Sequence, residues 1–412
     1  MFLRKFKKRK TDGNSMLLLK DGDEFFPRIL RQIRSAKVEI LIETFILADD
    51  RIGKALKKAL ISAARNGVRI IVTADSYGSF FLPKTYINEL ISEGITFQIY
   101  DPQPTLLGFR PKIVRRLHRK IIVIDNKIAH IGGINLCEDH MVANNTTGKR
   151  DYSLEMSGPI VTQVRELSKS YITGGLPDIE PESYLTSAQD ERYIDNVEGV
   201  LLSRDNIINK RDIEKAYLMA IRTAEKSILI ANAYFYPGLR LLRALKRAAN
   251  RGVEIKIVVQ GDPDIPSALP AARCFYKTLL KIGVQIFEYS DRPLHGKIAC
   301  VDDKWCTIGS SNLDPWSLAM NLEANIVALD HRLNAQIKDC VEQLIKHSEP
   351  GSIELLGEQS WLTQITYQLF YSSIRWVPVI TRWIPNPRPN VLAFKPGQKN
   401  AEIRELETSN QE

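Results

Sequence analysis

The chain has 412 residues, 44% of them apolar and 25% charged, with a formal net charge of +9. That length suits two or three average domains or one large two-lobed unit, and the composition excludes a disordered or collagen-like chain. Five scattered cysteines with no C-x-x-C pair argue against a disulfide framework or a zinc site and fit a reducing cytoplasm. The positive balance calls for an anionic partner: nucleic acid, an anionic membrane surface or an anionic substrate.

In chain order, residues 1–10 (MFLRKFKKRK) carry six cations interleaved with Phe2, Leu3 and Phe6. They read either as a free basic tail or as an arm lying on an anionic bilayer. The start lacks the apolar core and cleavage site of a secretory signal, and no run of eighteen apolar residues follows anywhere. From Met16 the pattern is regular. A helical stretch through Ile29, Leu30 and Ile33 precedes a buried strand at 39–45. Ala55, Leu56, Ala59, Leu60 and Ala63 then recur at helical spacing, with Gly67 where a C-terminal cap belongs. A strand at 68–73, a helix through Ile87, Leu90 and Ile91, and a strand at 95–100 complete the unit.

The second half repeats this plan. Strands at 200–205, 227–234, 253–260 and 284–289, and a helix on Leu241, Leu242, Leu245 and Ala248 closed by Gly252, answer those of the first half. Alternating strands and helices predict an α/β fold of two similar lobes related by a pseudo-twofold axis, each a mixed or mainly parallel sheet flanked by helices. The expected divisions are a basic arm (1–15), a first lobe (16–160), a connection rich in Gly and Pro (161–199), a second lobe (200–345), and an aromatic-basic segment with a polar tail (346–412). Within the last, residues 361–384 hold three of the five Trp together with arginines, which suits either a membrane interface or a helix packed on the second lobe.

The chemistry sits in a repeated string. LHRKIIVID (117–125) and LHGKIACVD (294–302) each place Lys two residues and Asp seven residues after a His. Each runs on into a small-residue turn ending in Asn, Gly132-Gly133-Ile134-Asn135 and Gly309-Ser310-Ser311-Asn312. On a strand the His and Lys of each copy share a face. That is electrostatically awkward unless an anion sits between them, so two such pairs make a pocket for one phosphate group. Lys120, Lys297, Asn135 and Asn312 are placed to donate to its oxygens, and two imidazoles divide into nucleophile and general acid. Asp151 and Glu323, each about thirty residues beyond a motif His, are candidates to orient the imidazoles. Asp125 and Asp302, at the strand ends, are better suited to fixing turns than to touching substrate. A metal centre is disfavoured because a Lys beside each His repels a cation.

These paired motifs and their turns are similar to those of the phospholipase D superfamily. The run 292–326, with ILIETFI and ILIANAYFYPG, resembles the bacterial cardiolipin synthases of the B type over residues 16 to about 385. The resemblance implies a phosphatidyltransferase that moves a phosphatidyl group from one phosphatidylglycerol to another, releasing glycerol, with no metal or cofactor. It carries catalytic status to His118, Lys120, Asp125, His295, Lys297 and Asp302, and supporting roles to Asn135, Asn312, Asp151 and Glu323. Superfamily habit makes His118 the nucleophile and His295 the proton carrier. The implied partners are an anionic phospholipid and a membrane surface rather than nucleic acid, and the implied location is peripheral, on the cytoplasmic face of the bacterial inner membrane. The alternative is a phosphodiesterase of the same superfamily acting on other phospholipids or nucleic acid. Only the first half carries a basic, apolar insert (105–116, TLLGFRPKIVRR), where a lipid could enter.

Overall fold

The structure, a computed structural model, describes residues 6–102, 115–143, 145–170, 172, 176, 190–262, 272–352 and 391–397. Most of the 105–116 insert, the 361–384 segment and the polar tail lie outside these residues, as do the first five residues of the basic arm.

The first half runs β1 (Lys10–Lys20), α1 (Asp21–Ser35), β2 (Glu39–Thr44), α2 (Arg51–Arg65), β3 (Arg69–Asp75), α3 (Lys84–Ser92), β4 (Thr96–Tyr100), β5 (Ile121–Ile124), β6 (Ile128–Gly132), β7 (Tyr152–Ser157) and α4 (Pro159–Lys169). The second half repeats it as β8 (Ile194–Arg204), α5 (Asp212–Thr223), β9 (Ser227–Asn232), α6 (Leu239–Ala249), β10 (Glu254–Gln260), α7 (Tyr276–Lys281), β11 (Gln285–Tyr289), β12 (Lys297–Val301), β13 (Trp305–Gly309), α8 (Pro315–Ala319), β14 (Glu323–Leu329) and α9 (His331–Lys346). Two short strands, β15 (Ser348–Pro350) and β16 (Val391–Phe394), close the two edges.

Among the described residues sixteen strands belong to one sheet, ordered β15-β11-β10-β9-β12-β13-β14-β8-β1-β7-β6-β5-β2-β3-β4-β16. Read outward from the β8–β1 pair, the two halves give the same sequence of equivalent strands, which is the expected pseudo-twofold relation. The sheet is mixed rather than mainly parallel. Only β2–β3–β4 and β9–β10–β11 pair in parallel, and these are the strands joined by helical crossovers. The central strands are antiparallel, including β1 against β8, which fuses the halves. The 161–199 range is not wholly a connection: α4 begins before it and β8 enters at Ile194.

Sequence pattern explains the layering. α2 and α6 bury one apolar stripe each, Leu56, Ala59, Leu60 and Ala63 in one, Leu241, Leu242, Leu245 and Ala248 in the other. β5 and β12 are apolar on both faces because both are covered. One apolar cluster packs α1, α2 and α3 on the outer face of the first half, and a second packs α5 and α6 on that of the other. The third lies between, joining strands of both halves with α4 and α9. This shared inner core holds the two motif strands in one body.

Candidate active site

Two crossings bring the motifs together. Leu117 bridges Leu322 and the His118 N–H donates to the Leu322 carbonyl at 3.0 Å, while Arg150 bridges Leu294 and the His295 N–H donates to the Arg150 carbonyl at 2.8 Å. Each motif is therefore anchored on the segment leading into the other half's carboxylate. The carboxylates follow suit. His118 Nδ1 lies 3.1 Å from Glu323, and His295 Nδ1 lies 2.6 Å from Asp151. A carboxylate oxygen accepts, so each Nδ1 carries the proton and each Nε2 is left for chemistry. Sequence separation paired each carboxylate with the His of its own half; the fold exchanges them.

The site is desolvated. Asp151 and Glu323 have no exposure, and Lys120, Lys297 and His295 are buried. Burial pushes the His118 imidazole below its ordinary value of 6.5; Glu323 opposes this, and Lys120 and Lys297 reinforce it. Lys297 of the second motif thus acts electrostatically on His118 of the first. Burial likewise lowers Lys120 from 10.5 to about 7, against the pull of Glu323. Each ammonium turns back on its own motif: Lys120 Nζ donates to the His118 carbonyl at 2.8 Å, and Lys297 Nζ donates to that of His295. Phe45 floors the first half, its ring 5.1 Å from His118 and 5.3 Å from Lys120 Nζ.

The turn asparagines are buried. Asn135 Oδ1 accepts from the Ile46 N–H at 3.2 Å, whereas Asn312 Oδ1 has no hydrogen-bond partner among the described residues. The preceding small residues are dictated by contact. A Cβ on Gly133 would lie 2.3 Å from an Asp151 carboxylate oxygen, and one on Gly309 would lie 2.3 Å from the Asn325 side chain.

Asp125 and Asp302 stand apart from the pocket, which corrects their inclusion with the catalytic side chains. Seven residues of extended chain, about 20 Å, separate each from its His. Asp125 accepts from the N–H groups of Lys37, Val38 and Glu39; Asp302 accepts from those of Glu225, Lys226 and Ser227. They tie the far ends of β5 and β12 to the starts of β2 and β9.

Three participants were not singled out in the sequence. Asp75, fully buried, accepts from the Leu117 N–H at 2.8 Å and so fixes the approach to His118. Ser310 donates to Glu323. His140 is fully buried with its ring 5.4 Å from that of His295. Its Nε2 accepts from the Asn135 N–H at 3.2 Å, so its proton sits on Nδ1, 3.5 Å from Asp151. The pseudo-symmetry thus breaks behind the imidazoles: a hydroxyl donates to Glu323, whereas a second imidazole stands beside Asp151 without a hydrogen bond to it. Nothing in the sequence flagged His140 except its place just after an Asn turn.

His140, Asp151 and His295 offer three ligand atoms within 4.8 Å of one another. Two atoms on one zinc ion sit roughly 3.3 Å apart, given bonds of about 2.0 Å. The 2.6 Å between His295 and Asp151 is instead a hydrogen-bond distance.

A two-lobed α/β fold that carries two matched His-x-Lys motifs, each His held by a carboxylate of the other half, defines a phospholipase D-like phosphodiester enzyme. The family model described as "Cardiolipin synthase, PLD-like domain" matches residues 29–165 and 217–345, and the chain belongs to that family. It is 40% identical over 386 residues to cardiolipin synthase B of Salmonella typhi, covering 93% of this chain and 94% of the relative. It is 39% identical over 402 residues to cardiolipin synthase B of Escherichia coli strain K12, covering 97% of each. Among solved structures, a phosphatidylserine synthase of Haemophilus influenzae superposes with a TM-score of 0.63 at 15% identity, covering 89% of this chain and 94% of that one, a likeness of fold.

Proposed function

We propose that the protein is a cardiolipin synthase that joins two phosphatidylglycerol molecules through a phosphohistidine, with release of glycerol. The observation that carries the chemistry is the exchanged pair of contacts, His118 to Glu323 and His295 to Asp151, which leaves one Nε2 from each half for a single phosphate. The relatives named cardiolipin synthase B, similar over nearly the whole chain, support the substrate.

His118, held neutral by burial, attacks phosphorus through Nε2. The bond from phosphorus to the glycerol oxygen breaks, and His295 gives that oxygen its Nε2 proton. Lys120, Lys297, Asn135 and Asn312 neutralise the charge gathering on the phosphoryl oxygens. His295, now neutral, takes the proton from the hydroxyl of a second phosphatidylglycerol as it attacks the phosphohistidine. The new phosphodiester forms, the His118–phosphorus bond breaks, and both imidazoles return to their starting states.

The enzyme acts from the cytoplasmic face of the inner membrane as a peripheral protein; among the described residues no helix is long and apolar enough to cross a bilayer. Its two halves, 16–160 and 200–345, each supply one motif. Phosphatidylglycerol in mixed micelles, with chelator present, should yield cardiolipin and glycerol in equal amounts. Cleavage of single-stranded DNA with no lipid product would replace this reading with the nucleic-acid phosphodiesterase one. His118→Ala and His295→Ala should each remove nearly all turnover, and near-normal rates in either would refute the two-histidine scheme.

A further inference from the structure

Six large apolar side chains are exposed among the described residues: Val38, Phe80, Phe81, Ile207, Ile208 and Trp316. Five of them, from three separate loops, stand at the end of the sheet that carries the imidazoles. Phe80 and Phe81 follow β3, whose last residue, Asp75, anchors Leu117. Their loop is tied to the floor of the site, because Ser79 Oγ donates to the carbonyl of Phe45. Ile207 and Ile208 follow β8, whose last residue, Arg204, is in register with Glu323. Trp316 stands four residues after Asn312, at the start of α8. Val38 alone lies elsewhere, at the far end beside Asp125.

The same device presents all three. Asp75 accepts from the N–H groups of Tyr77 and Gly78, Asp205 from those of Ile207, Ile208 and Asn209, and Asp314 from those of Trp316 and Ser317. An Asp side chain bonded to the backbone two and three residues on makes a defined turn. These tips are therefore held outward by their own turns. Phe81 is 92% exposed and Ile208 81%. Apolar groups gathered at one end and kept in water mark a surface that something covers.

We propose that these tips form the docking surface of the protein for an anionic phospholipid bilayer. The inference rests on the lipid substrate proposed above. It commits to a bilayer because the tips stand at the same end of the sheet as the two imidazoles, where the substrate phosphate would be bound, and because cations follow them: Lys84 three residues after Phe81, Lys210 two residues after Ile208. Apolar side chains that enter the acyl boundary, backed by cations at the level of the head groups, are the combination that holds a protein at an anionic interface. With Phe81, Ile208 and Trp316 seated at that depth, the end of the sheet that carries the imidazoles meets the head-group layer where the substrate phosphates lie.

The test uses the full chain, vesicles containing phosphatidylglycerol, and the pair Phe81→Ser with Ile208→Ser; both side chains lie largely in water, so folding is spared. Vesicle partition should fall about tenfold or more, the expectation for two apolar side chains withdrawn from burial. Val38→Ser should leave it unchanged. Turnover of dispersed short-chain phosphatidylglycerol should persist in the paired variant while turnover on vesicles drops. Unchanged partition, an equal fall in Val38→Ser, or a change of oligomeric state without vesicles would overturn the docking surface. A wild-type protein that binds vesicles through these tips but turns over no phosphatidylglycerol would fail the proposed function and leave the surface standing.

Discussion

At the scale of the residue, the two imidazoles are alike in sequence and unlike in surroundings. Glu323 behind His118 accepts from a hydroxyl; Asp151 behind His295 has His140 beside it. Burial drives His140 well below 6.5, against the pull of Asp151 and with the help of His295, Lys149 and Lys297, so it faces Asp151 as a neutral N–H. His140→Leu removes the acceptor of the Asn135 N–H and should lower kcat, and His140→Asn, which keeps an acceptor at that reach, should restore part of it. Equal losses in both would reduce His140 to packing. Lys120 carries a pH dependence. With its pKa at about 7 it loses charge as pH rises, and a bound phosphodiester anion favours the charged form. KM should therefore climb between pH 7 and 9, and a flat KM over that span would contradict the role given to Lys120. The sequence displayed His118, Lys120, His295 and Lys297 because they repeat. It did not display His140 or Ser310, because what matters about them is where they break the repeat.

At the scale of the element, the motif strands are held at both ends, by chemistry at one and by turns at the other. Asp125→Ala strips three backbone N–H groups of their acceptor and should cost roughly 1–3 kcal/mol of stability in denaturant unfolding, with the residual folded enzyme retaining its rate. A lost kcat at unchanged stability would return Asp125 to the chemistry. Arg119 lies inside the first motif, is fully buried, and pairs with Glu43 of β2 at 2.7 Å. Glu43→Ala removes a charge partner from that buried guanidinium and should cost about 3–5 kcal/mol. A loss below about 1 kcal/mol, measured in the same unfolding experiment, would show that water or another group takes its place. The second half avoids the problem with Gly296, packed under Tyr152. The periodic helices and apolar strands were legible in the sequence because burial imposes a spacing. The exchange of Asp151 and Glu323 was not. It arises where loops of distant sequence cross, and no local pattern records a crossing.

At the scale of the whole molecule, the duplicated unit becomes one enzyme because β1 pairs with β8 and a shared core joins the halves. The repeat predicted two lobes. It did not predict that their strands would run on as one sixteen-stranded sheet, since edge pairing depends on backbone groups that every sequence carries. The fold gives each half one motif and gives the other half its supporting carboxylate, so neither half holds a complete site. The measurement that tests this most directly is a rapid-mixing experiment with phosphatidylglycerol labelled in its phosphate, quenched in base and mapped by peptide. The label should appear on His118 within a turnover and be absent from His118→Ala. Label on His295, or product formed with no labelled histidine at any time, would contradict it.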